Sequence, residues 1–139
     1  MANELILKKL EQIKKLLEEL SFLLSEPIED FEKNTTHIRA AERNFQLIVD
    51  LASDINTQIL IEKGEKIPDS YRQSFVLISH IGIIDSQLSK ELSLSANLRN
   101  ILVHEYDFEE DFKKFYASAK SFVEPYGAYL KKIYDYTTK

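Results

Sequence analysis

Residues 6–24 read Ile6-Leu7-Lys8-Lys9-Leu10-Glu11-Gln12-Ile13-Lys14-Lys15-Leu16-Leu17-Glu18-Glu19-Leu20-Ser21-Phe22-Leu23-Leu24, and their rhythm decides the fold class. Ile6, Leu10, Ile13, Leu17, Leu20 and Leu24 follow alternating steps of four and three, the spacing that gathers side chains onto one face of an α-helix. Lys8, Lys9, Glu11, Lys14, Lys15, Glu18 and Glu19 fall largely on the other faces, as a solvated surface would. Pro27 stops the helix shortly after Ser25.

The rhythm returns downstream. After a polar connector holding Ile28 and Phe31, the positions Ile38, Ala41, Phe45, Ile48, Ala52, Ile55 and Ile59 predict a second helix of about seven turns. Asn34, Thr35 or Thr36 can cap its start, and Gly64 is placed to end it in a left-handed conformation. Glu65 to Asp69, with Pro68, form a turn. Ser70 then caps a third helix carrying Phe75, Leu77, Ile78 and Ile81 that ends at Gly82. Asp85 caps a fourth, running through Leu88, Leu92 and Leu94 toward Tyr106. Asp107 and Glu110 form a capping-box pattern that opens a last helix through Phe108, Phe112, Phe115, Ala119, Phe122, Tyr126, Tyr129 and Ile133. Pro125 lies inside that last pattern without disturbing its phase, so one kinked helix is expected in preference to two.

Composition agrees with an all-α reading. Gly and Pro together number six in 139 residues, where average usage gives roughly 17, so turns are few and elements long. That argues against sandwiches, barrels and repeated βαβ units. Hydrophobic residues at 44% and charged residues at 29% fit a globular chain, and the longest apolar run, Phe75 to Ile78, is far short of the roughly 20 residues of a membrane span. The opening Met1-Ala2-Asn3-Glu4 reads as no secretory signal, and without cysteine there are no disulfides or thiolate metal sites. The expectation is a cytoplasmic, all-α, up-down bundle of four to five helices, one domain over residues 1–139.

Most chemical signatures are missing, among them a glycine-rich phosphate loop, a His-Glu-x-x-His zinc motif and a nucleophile elbow. Of three histidines, His37 lies near a helix start and His80 near a helix end, both ordinary structural places. His104 stands in Arg99-Asn100-Ile101-Leu102-Val103-His104-Glu105-Tyr106. With Arg99 at zero on a helical wheel, Tyr106 falls near about −20°, Val103 near 40°, Asn100 near 100° and His104 near 140°. Leu94, Leu98, Ile101 and Leu102 fall between about 200° and 300°, and read as the core face. Arg99, Asn100, His104 and Tyr106 then project the other way. From composition alone this is a solvated Arg and His at a helix end.

The octet fits the pattern Arg, four residues, His, any residue, Tyr, and it resembles the HepT branch of the HEPN superfamily. Arg39-Ala40-Ala41-Glu42-Arg43-Asn44-Phe45-Gln46-Leu47 is similar to that family's second-helix segment, and the turn around Pro68, the helix order and the length agree. The resemblance implies a dimeric, metal-independent endoribonuclease toxin whose two motifs meet in a cleft between protomers. It also implies a partner, a minimal nucleotidyltransferase of the MntA type that neutralises the toxin and attaches AMP to the motif tyrosine. Carried over, Arg99 and His104 are catalytic, Asn100 supports them, and Tyr106 is the AMP acceptor; no metal and no cofactor is called for.

The side chains suit that chemistry. RNA carries its own nucleophile, the 2′-hydroxyl, so the enzyme needs a proton acceptor, a proton donor and a cation for the developing phosphorane charge. Histidine can fill either proton role near neutral pH, and the planar fork of arginine grips two phosphate oxygens. One histidine is poorly suited to both roles in a single displacement, whereas two copies from a homodimer fill them. Residues five apart on a regular helix diverge by about 140°, so either the helix loosens near His104 or the site combines residues across a two-fold axis. Asn100 and His104, at i and i+4, share a face on which Asn100 can hydrogen-bond the imidazole.

Charge sets a condition on RNA as substrate. The net charge is −5, and Glu105, Asp107, Glu109, Glu110 and Asp111 crowd the chain just after the motif. These acids either favour the start of the last helix or meet a basic partner surface. Arg39 and Arg43, with Arg72, are the candidates for phosphate contacts. The alternative function is a catalytically inactive HEPN-like binding subunit of a nucleotidyltransferase complex; a third is a purely structural helical dimer.

Overall fold

The computed structural model describes residues 2–139, and seven helical segments account for most of them: α1 (Ala2–Leu24), α2 (Ile28–Phe31), α3 (Thr35–Glu62), α4 (Tyr71–His80), α5 (Ser86–His104), α6 (Phe112–Lys120) and α7 (Val123–Thr137). Among the described residues there is no strand. All six stripe residues of α1, from Ile6 to Leu24, are buried, as are all seven of α3 from Ile38 to Ile59. These two long helices pack on each other; α7 closes over α1, and the α4–α5 pair packs against α3. The core is thus one apolar cluster fed by every helix.

Caps set the helix ends where the side-chain chemistry demands them. Asn34 Oδ1 accepts from the His37 amide (3.1 Å), Ser70 Oγ from Gln73 (3.0 Å) and Asp85 Oδ1 from Leu88 (2.8 Å). Gly64 (φ +70°) and Gly82 (φ +86°) take the left-handed conformation beyond α3 and α4. At each, two amides fold back onto the last turn: Gly64 to Ile61 and Glu65 to Leu60, then Gly82 to Ser79 and Ile83 to Ile78. This is the Schellman arrangement, which satisfies carbonyls the helix end would leave bare.

Two expectations are corrected. The last helix divides into α6 and α7 at Ser121–Phe122, because Pro125 has no N–H to give the Ser121 carbonyl and its ring would clash there. Restarting at Val123 puts Pro125 in a first turn, where no intrahelical N–H is needed. The start of that region is also later than the capping-box pattern indicates. Asp107 Oδ1 does accept from Glu109 (2.9 Å) and Glu110 (3.3 Å), yet it closes only a turn, and Asp111 reaches back to the Asp107 amide (2.9 Å) before α6 begins at Phe112. Phe108 therefore lies exposed in the turn and outside the core.

Polar groups inside the bundle are paired throughout. Tyr129 OH donates to Asn56 Oδ1 (2.6 Å), Asn56 Nδ2 donates to Ser74 Oγ (3.1 Å), and Ser95 Oγ pairs with Tyr126 OH (2.7 Å), so α3, α4, α5 and α7 are cross-linked within the core. Burial raises the Tyr129 and Tyr126 phenols above their ordinary value, which keeps them as neutral donors. No buried side-chain nitrogen or oxygen among the described residues lacks a partner. Among the same residues no helix is long and apolar enough to cross a membrane. Tyr129→Phe should leave Asn56 Oδ1 without its donor and lower unfolding stability by about 1–3 kcal/mol; urea denaturation followed by circular dichroism measures the loss.

Candidate functional site

The motif straddles the end of α5. The helix is regular to its last residue, His104, and the Glu105 amide still bonds the Ile101 carbonyl at 2.8 Å. The helix therefore does not loosen at His104, and the divergence of Arg99 from His104 stands within one chain. Tyr106 lies beyond the helix, so it is not the same-face neighbour of Arg99 that a wheel extended through it predicts.

The orientation of α5 also differs from the reading of its pattern. Leu94 is 54% exposed, Ile101 42% and Val103 41%, while Leu88, Ser89, Leu92, Ser93, Ser95, Ala96 and Leu102 are buried. Leu94 and Ile101 thus point outward, while Leu98 is half-buried against the core. The inward face mixes Leu88, Leu92 and Leu102 with Ser89, Ser93, Ser95 and Ala96, and Ser89 Oγ is bonded to the Phe75 carbonyl. Arg99 falls in line with that inward face.

There its guanidinium meets α3. Arg99 Nε donates to Asp50 Oδ1 at 2.9 Å, the Tyr71 ring lies 4.5 Å under the guanidinium carbon, and longer bonds run from Nη2 to Tyr71 OH (3.5 Å) and from Nη1 to Asn100 Oδ1 (3.3 Å). Burial, then the charge of Asp50, pushes the Tyr71 phenol above its ordinary value, so it remains a hydroxyl. Three of the five guanidinium N–H groups are engaged, and one remains on each terminal nitrogen. Arg99 is thus held against α3, mostly enclosed, with two N–H groups left for a further acceptor.

His104 is different. It is exposed and makes no hydrogen bond or ion pair with another described residue. The expected bond from Asn100 is not formed; the Asn100 carbonyl turns to Arg99 instead.

Tyr106 has its own setting one element away. Its hydroxyl donates to Glu42 Oε2, while Glu42 Oε1 accepts from Arg39 Nη1 at 2.8 Å. Glu42 is only 4% exposed, so both oxygens of a buried carboxylate are satisfied. Arg39 lies over the Phe108 ring at 4.4 Å, and Phe108 meets Tyr106 edge-on at 5.2 Å. Burial first, then the bond to Glu42, holds the Tyr106 phenol far above its ordinary value. Arg39 is accordingly committed to Glu42, whereas Arg43 stays on the surface with only a long bond to Gln46 (3.4 Å).

Asp50, Glu42 and Tyr71 are the site residues that sequence reasoning missed. Their partners lie 49, 64 and 28 positions away, and no local pattern marks such a pairing. Among the described residues no group of three or more His, Asp or Glu side chains is placed to hold a metal ion.

Comparison with known proteins agrees with this frame. Residues 6–133 match the family model described as ribonuclease HepT-like. The tRNA nuclease HepT of Aphanizomenon flos-aquae is 28% identical over 128 residues, covering 92% of this chain and 86% of that one. The mRNA nuclease HepT of Shewanella oneidensis is 31% identical over 107 residues, covering 75% and 77%. A chain of a toxin–antitoxin crystal structure with AMP-PNP superposes with a TM-score of 0.80 at 25% identity, covering 92% of this chain and 96% of its own. With residues 6–133 matched by its model, this chain belongs to the ribonuclease HepT-like family of RNA-cleaving enzymes.

Proposed function

We propose that residues 1–139 form one HEPN-like helical domain that works as a homodimer, a metal-independent endoribonuclease and the toxin of a toxin–antitoxin pair. Arg99 and His104 are its catalytic residues, Asn100 supports Arg99, and Tyr106 accepts AMP from a cognate MntA-like nucleotidyltransferase. One observation carries the reading: Arg99 is anchored on Asp50 with two N–H groups left without a partner in its own chain, while His104 stands exposed at the helix end. A catalytic pair that diverges within one chain is completed by a second. The exposed side chains of Leu94 and Ile101, on one side of α5 with the half-buried Leu98 next to them, supply the apolar face on which two copies join.

In that cleft the histidine of one protomer takes the proton of an RNA 2′-hydroxyl. The oxygen attacks the adjacent phosphorus, and the two N–H groups of Arg99 neutralise the charge gathering on the phosphorane oxygens. The imidazolium of the other protomer gives its proton to the departing 5′-oxygen, leaving a 2′,3′-cyclic phosphate and a 5′-hydroxyl. Because the nucleophile belongs to the substrate, no metal-activated water is required.

The HepT relatives support RNA as substrate, and the toxin–antitoxin structure with AMP-PNP supports a nucleotide-using partner. Asp50 and Glu42 are eight residues apart on α3, about 12 Å along its axis, so an AMP on Tyr106 reaches Arg99 only by lying along α3. Esterifying Tyr106 removes the O–H that Glu42 accepts and sets a phosphodiester against a buried carboxylate. The modified side chain therefore leaves Glu42 and projects into the cleft.

His104→Ala should lower RNA cleavage by at least about 10²-fold with helix content intact, because His104 fills no core space; wild-type cleavage should persist in excess EDTA. A His104→Ala chain that cleaves at the wild-type rate would return the inactive-subunit alternative. Leu94→Glu combined with Ile101→Glu should give a folded monomer without activity, read by sedimentation velocity and an RNA cleavage assay. Intact-mass and peptide spectrometry after incubation with the cognate nucleotidyltransferase and ATP should place the AMP on Tyr106, and Tyr106→Phe should remain toxic yet escape inactivation.

A further inference from the structure

A second cationic feature lies outside the Arg99 and Tyr106 clusters. Between α4 and α5 runs an open groove of about 390 Å³ whose rim carries Arg72, His80 and Lys90. Serines and an asparagine, Ser86, Ser93 and Asn97 among them, line the rest of its polar wall, and no carboxylate lines it. In a chain of net charge −5 that is a local reversal of sign. Elsewhere five cations stand beside carboxylates, Lys9 with Asp54, Arg39 with Glu42, Lys66 with Asp69, Arg99 with Asp50 and Lys113 with Glu32, whereas the lining of this groove brings cations together with no acid among them. Arg72 and Lys90 form no ion pair among the described residues, and both are exposed.

The groove is also aligned with the motif. Ser86, Lys90, Ser93, Asn97, Asn100 and His104 lie within about 80° of one another around α5, a polar stripe about 27 Å long with no acidic member. It ends at His104 and borders the exposed Leu94 and Ile101, and Leu94 belongs both to the groove wall and to that apolar edge.

We infer that the α4–α5 groove is a binding track for the sugar–phosphate backbone of single-stranded RNA, with Arg72 and Lys90 on its phosphates, and that the polar stripe of α5 leads the strand to His104. Small hydroxyl and amide side chains let a backbone lie close to the helix and donate to its oxygens, while the two unpaired cations supply sequence-independent attraction. The inference rests on the ribonuclease reading for what happens at the end of the track, and its test separates binding from cleavage.

The probe is a short single-stranded oligonucleotide methylated at every 2′-oxygen, which has no nucleophile and cannot be cut. Arg72→Glu combined with Lys90→Glu should weaken its binding by about tenfold or more, and Arg72→Gln or Lys90→Gln alone should lower the salt slope by about 0.7, both read by fluorescence anisotropy. Lys131→Glu, an exposed cation on α7, should bind as wild type does. Wild-type affinity in the doubly reversed variant, an equal loss in Lys131→Glu, or no binding by the wild-type chain would each overturn the track. His104→Ala should bind the methylated strand normally and fail to cut the unmethylated one. If the wild-type chain binds the first through Arg72 and Lys90 but does not cut the second, the catalytic reading falls and the track stands.

Discussion

The burial of α3 is the constraint on which everything else hangs. Its apolar stripe is enclosed from Ile38 to Ile59, so its orientation is fixed along nearly its whole length. Two carboxylates ride on that fixed frame, Glu42 and Asp50. One receives Tyr106 from the turn after α5, the other receives Arg99 from α5 itself. A motif at the end of a helix and in the turn that follows would be mobile on its own. Here Arg99 and Tyr106 are both tied to the most deeply buried element of the bundle.

The helices that carry a strong apolar stripe were legible from the sequence, and α5, which carries Arg99 and His104, was legible only in part. In α1 and α3 the four-three rhythm names the buried residues directly, and Gly64 and Gly82 mark the ends because only a left-handed residue closes such a cap without strain. The family likeness likewise pointed to an all-helical bundle. On α5 the rhythm holds for Leu88, Leu92 and Leu102 and misleads for Leu94 and Ile101, which face outward while serines and Ala96 complete the inward face. Hydrophobic patterning reports which face avoids water and does not say whether protein of the same chain covers it. Tyr106 was misplaced for a related reason, because a wheel assumes the helix continues and α5 stops two residues earlier.

Charge is distributed with the same economy of place. Arg39 and Arg99 are each held by an acid of α3, which orients them and reduces their pull on distant phosphates. Arg72 and Lys90 carry no such partner and stand along the α4–α5 groove. A chain that is acidic as a whole thus has one groove whose lining carries cations and no carboxylate, and the acids from Glu105 to Asp111 lie beyond the end of α5. The net charge describes solubility; the pairing pattern describes where a polyanion can lie.

The outward stripe on α5 bears on how activity depends on dose. A catalytic centre divided between two copies does not exist in a lone chain, so well below the dimer dissociation constant the amount of complete enzyme follows the square of the chain concentration. Halving the supply of chains there reduces the working centres about fourfold. In the proposed dimer Leu94 and Ile101, by setting that dissociation constant, would set the concentration at which a slowly accumulating product passes from harmless to active, before any partner protein or covalent modification enters.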